Sequence, residues 1–130
     1  MYRFSGFATL TDHIFGDNTD HPGNYVPGST NTTSGLLLSR NGKYYETMLG
    51  ARHNGQMYAN NSNADTIAAY TVVDFSLKRK LPINLEIESG IKNVLNTSYS
   101  DWIQLNGVYG KFFNPAPPRT FYISIRSFIR

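Results

Sequence analysis

The sequence predicts an all-β fold, an antiparallel up-and-down sheet of about six long strands. Three features carry that prediction. Apolar and polar residues alternate with a period of two over several stretches. Those stretches last roughly nine to eleven residues, nearly twice the common soluble strand. The connections between them run long, short, long, short, long, as in a meander. Composition agrees: 14% aromatic, 16% charged, with 11 Gly and 6 Pro, favours strands joined by turns.

Residues 2–11 set Tyr2, Phe4, Gly6, Ala8 and Leu10 against Arg3, Ser5, Phe7, Thr9 and Thr11, with Phe7 blurring the polar side. A polar loop from about Asp12 to Thr32 follows. A weaker strand carries Leu36, Leu37 and Leu38. Asn41-Gly42 then supplies a two-residue hairpin signal. Residues 43–54 return with Tyr45, Thr47, Leu49 and Ala51 on one side and Glu46, Met48, Gly50 and Arg52 on the other. A second polar loop, about Gly55 to Ala69, contains Asn60, Asn61 and Asn63. From Tyr70 to Arg79, Val73, Phe75 and Leu77 oppose Asp74, Ser76 and Lys78.

Leu81-Pro82 marks a tight connection. The clearest strand follows, with Ile83, Leu85, Ile87, Ser89 and Ile91 opposite Asn84, Glu86, Glu88, Gly90 and Lys92. A third loop spans about Val94 to Pro118. The last strand sets Phe121, Ile123, Ile125 and Ile129 against Thr120, Tyr122, Ser124 and Arg126.

Several function classes are disfavoured at once. The net charge is +3, and Lys78-Arg79-Lys80 is the one basic run, too short and too isolated to read as a nucleic-acid surface. With no cysteine there is no disulfide framework and no thiolate metal site. No apolar run approaches the roughly 20 residues of a membrane-spanning helix. A membrane β-barrel remains compatible with the negative mean hydropathy, because its strands are polar at alternate positions. In hydrocarbon such a sheet survives only closed, with one face to lipid and one to the lumen. A soluble sandwich or lipocalin-like barrel shows the same alternation with its apolar face inward. Periodicity alone does not say which face is outside.

Two stretches tilt the choice. Gly90-Ile91-Lys92-Asn93-Val94-Leu95-Asn96-Thr97-Ser98-Tyr99 resembles the segment closing the penultimate strand of TonB-dependent outer-membrane receptors: a Gly, a polar residue, Asn-Leu-Phe or similar, a polar pair, then Tyr. Pro117-Pro118-Arg119-Thr120-Phe121-Tyr122-Ile123-Ser124-Ile125-Arg126 resembles the entry to that family's last strand, a Pro or Gly before Arg-Thr-aromatic-aromatic, and Tyr70-Thr71-Val72-Val73-Asp74 the start of the antepenultimate one. The three occur in the family's order. The resemblance implies that residues 1–130 are the C-terminal portion of a transmembrane β-barrel in the outer membrane, in contact with its lipid bilayer. It also implies a parent transporter importing an iron-siderophore or similar nutrient. The alternative is a small soluble all-β module that binds a ligand or glycan.

The departures from the family are specific. No plug domain and no TonB-contacting segment is recognisable, so contact with TonB is expected through a missing N-terminal part. Met1-Tyr2-Arg3-Phe4-Ser5-Gly6-Phe7 is not a secretory signal, which a chain bound for the outer membrane requires. Family barrels have about 22 strands. A fragment without transport activity of its own is therefore expected. The family also tends to end on an aromatic residue, whereas Phe128 is followed by Ile129 and Arg130.

No catalytic residues, cofactor or metal are expected. Asp12, His13, Asp17, Asp20 and His21 share the first loop, but their spacing fits turn chemistry and matches no zinc or calcium pattern. His53, near a strand end, reads as structural or interfacial. Glu86 and Glu88 share a face and read as lumen-facing carboxylates; no nucleophile accompanies them. Tyr99, Trp102, Tyr109, Phe112 and Phe113 in the third loop read as an interfacial girdle or loop packing. Trp102 and Tyr109 are the candidates for contact with a ligand. The sequons at Asn31, Asn61 and Asn96 are expected by chance in so Asn-rich a chain.

Overall fold

The structure, a computed structural model, describes residues 1–82, 84–104 and 112–128. Six strands form one sheet: β1 (Tyr2–Leu10), β2 (Thr32–Asn41), β3 (Tyr45–Asn54), β6 (Tyr70–Leu81), β7 (Leu85–Lys92) and β10 (Thr120–Ser127). They lie in chain order, and every neighbouring pair is antiparallel. Two small hairpins sit inside the long connections, β4 (Met57–Tyr58) with β5 (Thr66–Ile67) and β8 (Ser100–Gln104) with β9 (Phe112–Pro115). These hairpins are not foreseen in the sequence, since such short runs carry too few positions for a periodic signal.

Directly opposed residues share a face, so the register sorts every side chain of the sheet. Phe4, Leu38, Leu49, Phe75, Ile91 and Phe121 form one unbroken apolar row across all six strands. On the other face Arg3, Ser39, Met48, Ser76, Gly90 and Tyr122 form the neighbouring row. The faces expected for Val73, Phe75 and Leu77 and for Leu85, Ile87 and Ile91 are the ones found. Ile83 and Ile129 lie outside the described residues.

The apolar row is open rather than packed. Phe121 is 71% exposed and Phe75 39%, while Ile87 is half-buried. Among the described residues the fully buried apolar side chains are Ala59 and Val72 alone. A soluble sandwich would cover Phe75 and Ile87 with a second layer. Here the six long strands make one sheet.

The first turn departs from the sequence expectation. Asn41 pairs with Glu46, and the Gly42 amide donates to the Tyr45 carbonyl at 2.8 Å, so Lys43 and Tyr44 turn the chain and β3 begins at Tyr45. A two-residue Asn-Gly turn needs positive φ at both positions. The described residues with positive φ are Gly23, Gly28, Asn63, Asn84, Asn93 and Asn96, and neither turn residue is among them. Sliding the pairing four residues keeps each face intact and sets Leu38 against Leu49 and Leu37 against Gly50. Cross-strand packing decides over the local turn signal.

The intruding apolar residues of the polar face also find an explanation. Phe7 pairs with Gly35 and Tyr122 with Gly90. A Cβ on Gly35 would come 2.5 Å from the Phe7 ring, and one on Gly90 2.6 Å from the Tyr122 ring. Each aromatic lies flat across the neighbouring strand because the facing residue has no side chain.

Candidate functional site: the polar face and its long-loop end

Three strands build a charged row near the short-turn end of the polar face. Glu46 on β3, Lys78 on β6 and Glu88 on β7 are directly opposed in the register. The Lys78 ammonium lies 3.9 Å from Glu46 Oε2 and 3.8 Å from Glu88 Oε2. The Tyr122 hydroxyl donates to Glu88 Oε1 at 2.9 Å. Both Glu88 oxygens are thus engaged, and the row matches cation to carboxylate on the polar face. Half-exposed ion pairs of this kind contribute little to stability in water, typically under about 1 kcal/mol. Their consequence is for the register, because a one-residue slip would turn all of them onto the apolar face.

The opposite end of this face is aromatic. Arg52 Nη2 donates to the Tyr99 hydroxyl at 2.9 Å, and its guanidinium carbon lies 5.6 Å from the Tyr99 ring centroid. Tyr99 stacks on Tyr70 at 4.8 Å, and Asn54 Nδ2 donates to the Tyr70 hydroxyl at 2.6 Å. Such a guanidinium beside stacked phenol rings suits an anionic or aromatic guest. Of the two readings for Tyr99, girdle or loop packing, the contacts with Arg52 and Tyr70 are those of loop packing against the polar face. The sequence gives Arg52 and Tyr70 no site role, because their convergence with Tyr99 joins three distant segments.

Asn93 holds the third loop against this end. It is 2% exposed, with φ of 52°, a conformation that Asn tolerates better than most residues. Its amide N–H donates to Asp74 Oδ1 at 2.8 Å. Its side-chain Nδ2 donates to the carbonyls of Thr97 (2.9 Å) and Pro117 (3.4 Å), and its Oδ1 accepts from the Thr97 amide at 2.9 Å. Thr97 Oγ1 donates to the Thr71 carbonyl at 2.7 Å, and Asn96 Oδ1 accepts from the Arg119 amide at 2.9 Å. The Asn-Val-Leu-Asn-Thr run thus ties β6, β7 and the approach to β10 into one joint.

The first two long loops are joined to each other. The Gly28 amide donates to the Tyr58 carbonyl at 2.9 Å, and the Tyr25 amide to Asn63 Oδ1 at 2.7 Å. Asn63 Nδ2 returns a bond to the Tyr25 carbonyl at 2.9 Å, and Asn24 Nδ2 donates to the Asn61 carbonyl at 2.9 Å. Tyr25 and Tyr58 stack at 5.6 Å. The side chains of Asn24 and Asn63 thus cross-link the two loops.

The remaining candidates fall as follows. His13 Nδ1 lies 2.6 Å from Ser29 Oγ, and among the described residues no three His, Asp or Glu side chains gather to hold a metal. His53 Nδ1 lies 2.9 Å from Thr71 Oγ1 at the long-loop end of the apolar face. Trp102 sits in β8 opposite Asn114, beside a register irregularity between Ser100 and Trp102. Tyr109 lies outside the described residues.

Comparison with known proteins places this geometry. No protein-family model matches the sequence, and no curated protein matches it. Solved structures do. The ferric yersiniabactin uptake receptor FyuA from Yersinia pestis superposes at a TM-score of 0.81 with 18% identity, over 95% of this chain and 20% of that one. The siderophore receptor PiuA from Acinetobacter baumannii gives 0.79 and 15%, over 95% and 19%. The ferric-catecholate import receptor Fiu from E. coli K12 gives 0.77 and 20%, over 95% and 18%. The six-strand sheet thus has the fold of a segment of these receptor structures. The chain spans about a fifth of the length of the solved receptors it matches.

Proposed function

We propose that these 130 residues are the C-terminal barrel segment of an outer-membrane TonB-dependent transporter importing an iron-siderophore or similar nutrient. The observation that carries this reading is the exposed row from Phe4 to Phe121, crossing six strands with a charge-paired polar face behind it. A bilayer covers such a row, and a lumen hydrates the face opposite. The bilayer of the outer membrane is then a partner of the segment itself. Transport belongs to the whole receptor, and the segment alone has none. TonB engagement is assigned to the part of the receptor N-terminal to this segment. In that setting the Arg52–Tyr70–Tyr99 cluster, with Trp102 and Tyr109 of the third loop, contacts the nutrient or the plug.

The test is fractionation of the expressed chain. Recovery with membranes, solubility only in detergent, and strand-type circular dichroism are expected. A water-soluble monomer with a cooperative thermal transition in plain buffer would instead establish the soluble binding module.

A further inference from the structure

In the lipid-facing reading, on which this inference rests, the apolar face carries two charged side chains within its six strands, Arg40 and Arg79. The register places Glu46, Asp74, Glu86 and Glu88 on the opposite face. Both arginines lie at the short-turn end, exposed, and neither pairs with a carboxylate among the described residues. Each instead rests on a tyrosine directly opposite in the register. The Arg40 guanidinium carbon is 5.5 Å from the Tyr2 ring centroid and that of Arg79 5.4 Å from the Tyr45 centroid. In the adjoining turn Lys43 Nζ lies 5.1 Å from the Tyr44 centroid.

We propose that this rim is a binding belt for anionic phospholipid headgroups in the leaflet that the short turns face. An arginine at mid-bilayer on this face would be strongly unfavourable, but at the headgroup level the penalty nearly vanishes. There the planar guanidinium offers two parallel N–H donors to a phosphate diester. The tyrosine ring beneath holds the cation against the sheet and itself belongs at the interface. One strand, β3, separates Arg40 from Arg79, a gap of about 10 Å at the usual strand spacing. Each arginine therefore takes its own headgroup.

Flotation of the 130-residue chain with vesicles tests this, using phosphatidylcholine alone or with phosphatidylglycerol. Binding to neutral vesicles is expected from the barrel-segment reading, and its absence would overturn that reading and this one together. Phosphatidylglycerol is expected to strengthen partition about 25-fold, roughly fivefold for each arginine. The double variant Arg40→Gln, Arg79→Gln loses that gain. Arg3→Gln with Arg126→Gln, which removes equal charge from the same end of the polar face, keeps it. The variant Arg40→Lys, Arg79→Lys retains most of the gain, separating loss of the cations from misfolding. Neutral-vesicle binding with an equal loss of gain in both glutamine variants would overturn the belt alone.

Discussion

Asn93 shows how much one side chain can join. Its amide and backbone N–H reach Asp74, Thr97 and Pro117, and burial leaves no water to replace them. Asn93→Ala removes three side-chain bonds and leaves the Thr97 amide unpaired, so a loss of about 2–3 kcal/mol is expected, read from denaturant midpoints in detergent. Gly90 and Tyr122 are directly opposed across β7 and β10. Tyr122→Phe loses one bond to Glu88 and is expected to cost about 1 kcal/mol. Gly90→Val drives a Cβ to 2.6 Å from the Tyr122 ring and 2.7 Å from the Phe75 carbonyl oxygen. The backbone contact cannot yield, and more than about 2 kcal/mol is expected in the same measurement.

At the scale of the element, two neighbouring residues of β3 separate a membrane strand from a soluble one. Leu49 is 44% exposed and Met48 39%, so in water a lysine at either site is nearly equivalent. In a bilayer they differ. Leu49 lies mid-row on the apolar face, where Leu49→Lys is expected to cost about 2–4 kcal/mol, measured by refolding into vesicles. Met48 lies on the polar face between Ser39 and Ser76, and Met48→Lys is expected to change stability by less than about 1 kcal/mol. Equal losses at the two positions would mean that the apolar face does not meet lipid.

Across the whole molecule the sheet has two edges. In the described sheet β1 pairs with β2 alone and β10 with β7 alone, leaving a row of unpaired backbone groups on each. Exposed edges recruit further strands. Sedimentation of the chain in detergent is therefore expected to give concentration-dependent oligomers.

Much of this architecture is local in origin. Alternation in Leu85–Ile91 and Tyr45–Ala51 already sorts the two faces, and the loop composition already places the turns, because strand periodicity and turn chemistry act over a few residues. The Asn93 run was recognisable as a motif, yet its physical role was not, since Asp74, Thr71 and Pro117 lie about twenty residues or more away. Larger separations still hid the Arg52–Tyr70–Tyr99 cluster and the glycines beneath Phe7 and Tyr122, while the slide of the first hairpin was hidden by a local turn signal that cross-strand packing overrode. What the sequence determined alone was that the sheet has an oily side and a wet side. Only the tertiary structure decided that the oily side stands open, because whether a second layer covers it depends on contacts between segments that no local pattern encodes.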